Sequence, residues 1–183
     1  MRKGLLSNLL WLRGALALAA LAVGLQARGQ FPMDLTKWEA EPRYDYVYMD
    51  TMIMGGDNCR LVTEIYLPKG EGPWPVVVTR TPYVRHTECV DDQPLAREYA
   101  KRGLGYIRQR CRGTDGSEGT YEPNIYERED GLALLRWLQA QPWCKNIGLT
   151  GMSYGALVCW IVADSVPDKV KGIHMHHYGV DRH

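Results

Sequence analysis

Gly151-Met152-Ser153-Tyr154-Gly155 reads G-x-S-x-G. A serine in that spacing can act as a nucleophile when a strand runs into it and a helix leaves it. The sharp turn pushes the hydroxyl out of the fold, and the small flanking residues leave room for the neighbouring strand and helix. The helix that follows aims its first backbone N–H groups at the same spot, so the N–H of Tyr154 can hold a developing oxyanion. The chemistry is attack on an acyl carbonyl. The plainer alternative is a strand–turn–helix connection in which Ser153 only caps the helix.

A serine nucleophile needs a base, and the base needs an orienting carboxylate. Thirty residues follow Ser153, and they offer His174, His176, His177 and His183 with Asp164, Asp168 and Asp181. In an architecture built around such an elbow, the acid and the histidine follow later strands. Asp164 and Asp168 fall at the end of the helix after Ser153 and in the next turn. His174 and His176 fall on the very next strand, on one face of it. None of these is placed as a triad partner. The histidine pair has no evident third ligand, so no metal is expected, and no cofactor either.

The elements that must position Ser153 are legible around it. Ile147–Thr150 reads as a short strand and Tyr154–Asp164 as a helix. Upstream, Tyr44–Met49 and Leu61–Leu67 read as a hairpin around the turn-forming Gly55-Gly56-Asp57-Asn58. Pro75–Thr79 is a β-branched apolar run suited to a strand buried on both faces. Pro94–Arg102 reads as a helix with proline near its start, Gly105–Arg110 as a strand, and Arg112–Gly119 as a Gly-rich loop. Glu127–Gln139 has helical spacing of Leu132, Leu135 and Leu138. Val170–Met175 is a last strand. A hairpin followed by alternating strands and helices predicts a mostly parallel sheet with crossover helices.

At 183 residues, 45% hydrophobic and 23% charged, the chain can bury a core. A net charge of +1 with no basic stripe speaks against a nucleic-acid partner. No run reaches the ~18 apolar residues of a membrane-spanning helix. Arg2 and Lys3, the apolar run Ala15–Val23 and the small residue Ala27 describe a secretory signal peptide over residues 1–27. The alternative there is an upstream extension before a start at Met33. Residues 28–43 are a polar lead-in with Pro32 and Pro42, and residues 44–183 the catalytic-type domain. Export predicts a secreted or periplasmic protein. Five scattered cysteines, Cys59, Cys89, Cys111, Cys144 and Cys159, form no disulfide framework and keep a cytoplasmic location open. Cys111 is the one near the elbow, and nothing marks it as activated.

Five motifs in order carry a wider resemblance: Thr81-Pro82-Tyr83, the loop Arg112-Gly113-Thr114-Asp115-Gly116-Ser117-Glu118-Gly119, Asp130-Gly131, Gln141-Pro142-Trp143-Cys144 and the elbow itself. From about Tyr46 to Ile173 the chain resembles the X-Pro dipeptidyl-peptidase and cocaine-esterase-like (CocE/NonD) hydrolases. The resemblance implies an α/β-hydrolase fold, truncated after about the sixth strand. It implies Ser153 as nucleophile, with Tyr154 N–H and the hydroxyl of Tyr83 as oxyanion donors, and Arg112 as a brace. A tyrosine hydroxyl suits that role, being a donor without charge at neutral pH. The expected activity of the full-length protein is hydrolysis of a small-molecule ester or a peptide. The alternative is a catalytically incompetent fragment or binding module, because the triad acid and base are missing. Glu118 and Glu122, the acidic residues available to anchor a peptide amine, lie in loops where a solvated or structural role is expected.

Overall fold

The computed structural model describes residues 40–83 and 93–178. The expected signal peptide and most of the lead-in therefore lie outside the described residues, as does Cys89. Six strands form one sheet: β1 (Tyr46–Met54), β2 (Arg60–Pro68), β3 (Trp74–Thr81), β4 (Gly105–Arg110), β5 (Cys144–Met152) and β6 (Val170–His176). Helix α1 (Gln93–Lys101) lies between β3 and β4 in sequence, α2 (Glu127–Ala140) between β4 and β5, and α3 (Tyr154–Trp160) between β5 and β6. The strand order is β1-β2-β4-β3-β5-β6. β1 and β2 pair antiparallel, as do β2 and β4, whereas β4, β3, β5 and β6 run parallel.

Strand alternation sorts the core into two layers. Ile65, Ile107, Val76 and Val78 face α2 and α3, where they pack with Leu134, Leu135 and Leu138. Tyr66 and Tyr106, one residue out of phase, face α1 and pack with Ala96 and Ala100. Both faces of β2 and β4 are thus covered, and all six residues of β4 are buried. β3 is less symmetric. Val76 and Val78 are buried while Val77 and Thr79 are only half-buried, because α1 sits over β2 and β4 rather than over β3.

The turn between β1 and β2 is a single 3-10 turn, Gly56–Asn58, with Asp57 at φ 50° and Asn58 at φ 56°. Asp and Asn tolerate the left-handed region better than other side chains, which is why that turn was legible. β1 and β5 are longer than their apolar signals suggested. α3 is shorter: it ends at Trp160, and the following turn tightens, with Ala163 N–H donating to Trp160 O at 3.0 Å and Ser165 N–H to Val162 O at 3.0 Å. Bonds to the third residue back replace bonds to the fourth, as at many helix ends. Among the described residues no helix is long and apolar enough to cross a membrane. Cys59, Cys111, Cys144 and Cys159 are buried and free, behaving as small apolar core residues.

Candidate active site

The parallel strands deliver their carboxyl ends to one edge of the sheet, where ligand sites of open α/β sheets gather. β5 ends at Met152, and Ser153 follows at φ 54°, ψ −120°. That is a strained conformation for a residue with a side chain, held only where the surroundings enforce it. Three contacts do so. Ser153 N–H donates to His176 O of β6 at 3.0 Å, and Ser153 O accepts from Ala156 N–H at 3.0 Å and Leu157 N–H at 3.2 Å. The two glycines of the motif are not equivalent. A Cβ at Gly151 would lie 2.1 Å from Gly155 O and 2.7 Å from Ala156 N, so only glycine fits. A Cβ at Gly155 would meet Arg80 O at 3.5 Å, an ordinary contact. The need for a small residue holds for the first position and not for a bare Cβ at the second. Ser153 itself is exposed.

Tyr154 opens α3, so its N–H belongs to the unpaired first turn of that helix. Its ring is anchored from below. The hydroxyl donates to Glu127 Oε1 at 2.7 Å and accepts from Asn124 N–H at 2.9 Å. The ring of Tyr121 stands 6.0 Å away, edge-on. Burial, reinforced by the bond to Glu127, holds the Tyr154 phenol well above its ordinary range. Tyr83 lies two residues beyond the end of β3, the strand that pairs with β5. The segments leaving β3 and β5 therefore emerge side by side, and the Gly155–Arg80 approach shows the elbow resting on the last residues of β3. Tyr83 is half-buried, and its backbone is gripped twice: its N–H donates to Thr81 Oγ1 at 3.1 Å, and its carbonyl accepts from Arg110 Nη1 at 2.8 Å.

Two buried charge networks underlie this edge, one on each face of the sheet. On the α2 face, Arg80 Nη1 donates to Glu127 O at 2.8 Å and lies 3.4 Å from Glu127 Oε2, while Nε donates to Gln109 Oε1 at 2.8 Å. Asp130, with no exposed surface, accepts from Arg112 Nη2 at 2.8 Å and from Gly56 N–H at 2.8 Å. Arg112 also covers the Tyr126 ring at 3.9 Å. It ties the Gly56 turn to α2. On the α1 face, Glu64 of β2 sits opposite Arg108 of β4 and bonds Arg108 and Arg110. These networks were missed in the sequence. Their signal was charges at alternate positions of apolar strands, Glu64, Arg108 and Arg110, where a solvated face would be unusual on a doubly covered sheet.

The remaining readings divide. Cys111 is fully buried between Arg80 and Glu127, and burial pushes its thiol up to about 12, with Arg80 opposing and Glu127 adding. That is the opposite of activation. His174 and His176 share one face of β6 as alternation required, with Nε2 of His176 3.1 Å from Nδ1 of His174. Glu118 is structural: its carboxylate accepts from Arg60 N–H at 2.9 Å and Arg60 Nε at 2.8 Å.

The arrangement is a strained, exposed serine at the head of a helix, beside a tyrosine-bearing segment. Comparison with known proteins gives it a lineage. The family model of X-Pro dipeptidyl-peptidase (S15 family) matches residues 57–183. The cocaine esterase of Rhodococcus sp. (strain MB1 Bresler) is 30% identical over 130 residues, covering 69% of this chain and 23% of that protein. An α-amino acid ester hydrolase structure superposes with a TM-score of 0.59 at 24% identity, over 79% of this chain and 27% of the other. A CocE/NonD family hydrolase from Staphylococcus aureus does so with a TM-score of 0.58 at 19% identity, over 79% and 32%. These neighbours show an α/β-hydrolase fold, of which the chain holds part. It spans about a quarter of the length of the curated relative it matches.

Proposed function

The chain belongs to the X-Pro dipeptidyl-peptidase (S15) family, and from that membership we propose that it carries the nucleophile and oxyanion donors of a serine hydrolase acting on acyl bonds of small esters or peptides. The observation that carries the reading is Ser153 at φ 54°, ψ −120°, exposed between β5 and α3, with a glycine two residues before it that nothing larger can replace. Ser153 Oγ would attack the carbonyl. The tetrahedral oxyanion would be held by Tyr154 N–H and Tyr83 O–H, the latter carried on a backbone held by hydrogen bonds to Thr81 and Arg110. Among the described residues the histidines are His174, His176 and His177, all at the end of β6 beside the elbow, and the rings of the first two engage each other. The base and its carboxylate are therefore assigned to the longer protein that the relatives' lengths imply. Residues 1–27 are read as an export signal cut after Ala27, which N-terminal sequencing of the mature product checks.

The second reading, a segment that binds without turnover, is favoured by that same histidine placement. A fluorophosphonate probe separates the two. The 183-residue chain should label weakly and a full-length form strongly, with both signals abolished by Ser153→Ala. No labelling of the full-length form would remove Ser153 as nucleophile. Strong Ser153-dependent labelling of the 183-residue chain would overturn the assignment of the base elsewhere. Turnover of a p-nitrophenyl ester against a Gly-Pro-p-nitroanilide then separates esterase from dipeptidyl-peptidase.

A further inference from the structure

Arg110 is the last residue of β4, and its side chain is 1% exposed. Its guanidinium is engaged along three directions. Nη2 donates to Glu64 Oε2 of β2 at 3.1 Å. Nε lies 3.2 Å from Asp115 Oδ2, in the loop after β4. Nη1 donates to the carbonyl of Tyr83, beyond the end of β3, at 2.8 Å. Two of these partners are carboxylates that offset the buried charge. The third is a neutral backbone oxygen, and it belongs to the residue proposed as an oxyanion donor.

A guanidinium is a planar, rigid fork. Its Nη2 is held by the hydrogen bond to Glu64, and the Asp115 carboxylate beside Nε is an ion-pair contact rather than an aligned hydrogen bond, so Glu64 sets the orientation from which Nη1 reaches Tyr83. Glu64 is itself immobilised, since its carboxylate also accepts from Arg108 Nε. On the other side of the Tyr83 Cα, the N–H of the preceding peptide group is held by Thr81 Oγ1. The two peptide groups that flank the Tyr83 Cα are thus each held, and the Cα–Cβ bond that carries the ring leaves the backbone in a set direction. The hydroxyl stands at the far end of that ring, so a small tilt of the backbone is magnified there. A displacement on the order of 1 Å at a catalytic group can cost about a hundredfold in rate.

We propose that Arg110 is a positioning residue for the Tyr83 hydroxyl, acting through the Tyr83 carbonyl. The inference rests on Tyr83 being an oxyanion donor, and the test separates the two. A double-mutant cycle on the full-length enzyme combines Tyr83→Phe with Arg110→Lys, reading kcat and KM for a p-nitrophenyl ester. Lysine keeps the charge for Glu64 and Asp115 but not the fork that reaches Tyr83. Removing one oxyanion donor costs about 100-fold or more in rate, so Tyr83→Phe should lower kcat on that scale. Arg110→Lys should lower kcat roughly 10-fold with KM little changed, a fraction of the cost of losing the donor outright. In the Tyr83→Phe background, Arg110→Lys should cost nothing more. Equal losses in both backgrounds would show a general structural role and overturn the proposal, as would an unchanged kcat in Arg110→Lys. An unchanged kcat in Tyr83→Phe would overturn the oxyanion reading and the proposal with it. If Arg110→Lys does not fold, Arg110→Met with Glu64→Gln removes the cation together with a counter-charge, and the same comparison is made with that pair.

Discussion

Tyr154→Phe removes one oxygen and nothing else. In the native chain that oxygen donates to Glu127 Oε1 at 2.7 Å and accepts from Asn124 N–H at 2.9 Å. Asn124 is exposed, so its N–H turns to water at little cost. Glu127 is 3% exposed, and the lost bond is one to a carboxylate, a class that contributes about 1.5–3 kcal/mol net. Taking about 2 kcal/mol, and about 2–4 °C of Tm per kcal/mol for a chain of this size, the variant should melt about 4–8 °C lower at neutral pH. Differential scanning calorimetry or thermal circular dichroism on the 183-residue chain reads this directly. The pH dependence gives a second check. The Tyr154 phenol is held above its ordinary value of 10.0 in the fold. Above that pH the unfolded chain releases a proton that the folded chain keeps, so the stabilisation is complete below the unfolded pKa and declines as pH rises past it. Other buried tyrosines lose stability alike in both proteins and cancel in the difference. The gap in Tm between wild type and Tyr154→Phe should therefore narrow from pH 8 to pH 11. A Tm within 1 °C of wild type at pH 8 by either method (about 0.5 kcal/mol or less), or a gap that widens with pH, would refute the anchoring of Tyr154 by Glu127.

The two elbow glycines should respond differently to alanine. Gly151→Ala places a Cβ 2.1 Å from Gly155 O and, on the proposed function, should abolish probe labelling of a full-length form, whereas Gly155→Ala, at 3.5 Å from Arg80 O, should stay within about 1 kcal/mol of wild type in urea unfolding. Arg112→Met leaves the fully buried Asp130 carboxylate with only the Gly56 N–H and the more distant Arg80, and should cost about 3 kcal/mol, the low end of the scale for breaking a buried ion pair from one side, read as a lower urea midpoint. In a Cys89→Ser background, a thiol reagent at pH 8 should leave Cys59, Cys111, Cys144 and Cys159 unmodified in the native chain and titrate all four in guanidinium, since burial raises each thiol.

The backbone plan was readable because each element announced itself by a local rule. Gly105–Arg110 was bounded by glycine on one side and a Gly-rich loop on the other, and the strand ends where expected. The Pro94 helix and the Asp57-Asn58 turn were equally local. Lateral order in the sheet was not readable in this way, since β4 inserts between β2 and β3 through pairings 29 or more residues apart. The site divides along the same line. Ser153 and Tyr154 could be proposed from the sequence because the elbow is a contiguous motif, and the structure places them at a strand-to-helix turn. Tyr83 came from resemblance, as its proposed role depends on β3 lying beside β5. Glu127 and Arg110 were missed because each gains its meaning from a partner far away in sequence, Tyr154 for one and Tyr83 for the other.

The bond from Ser153 N–H to His176 O has a bearing on the order of assembly. The elbow is wound against its own backbone preference, and its amide finds a partner only at the far end of β6. During synthesis that carbonyl arrives 23 residues after the serine. Until β6 has emerged and paired with β5, the turn lacks one of the contacts that hold it against its strain. The turn at Ser153 is therefore completed only by the pairing of the sixth strand. A nascent chain that stops short of His176 carries the whole G-x-S-x-G motif and still lacks the bond that holds Ser153 in its strained turn.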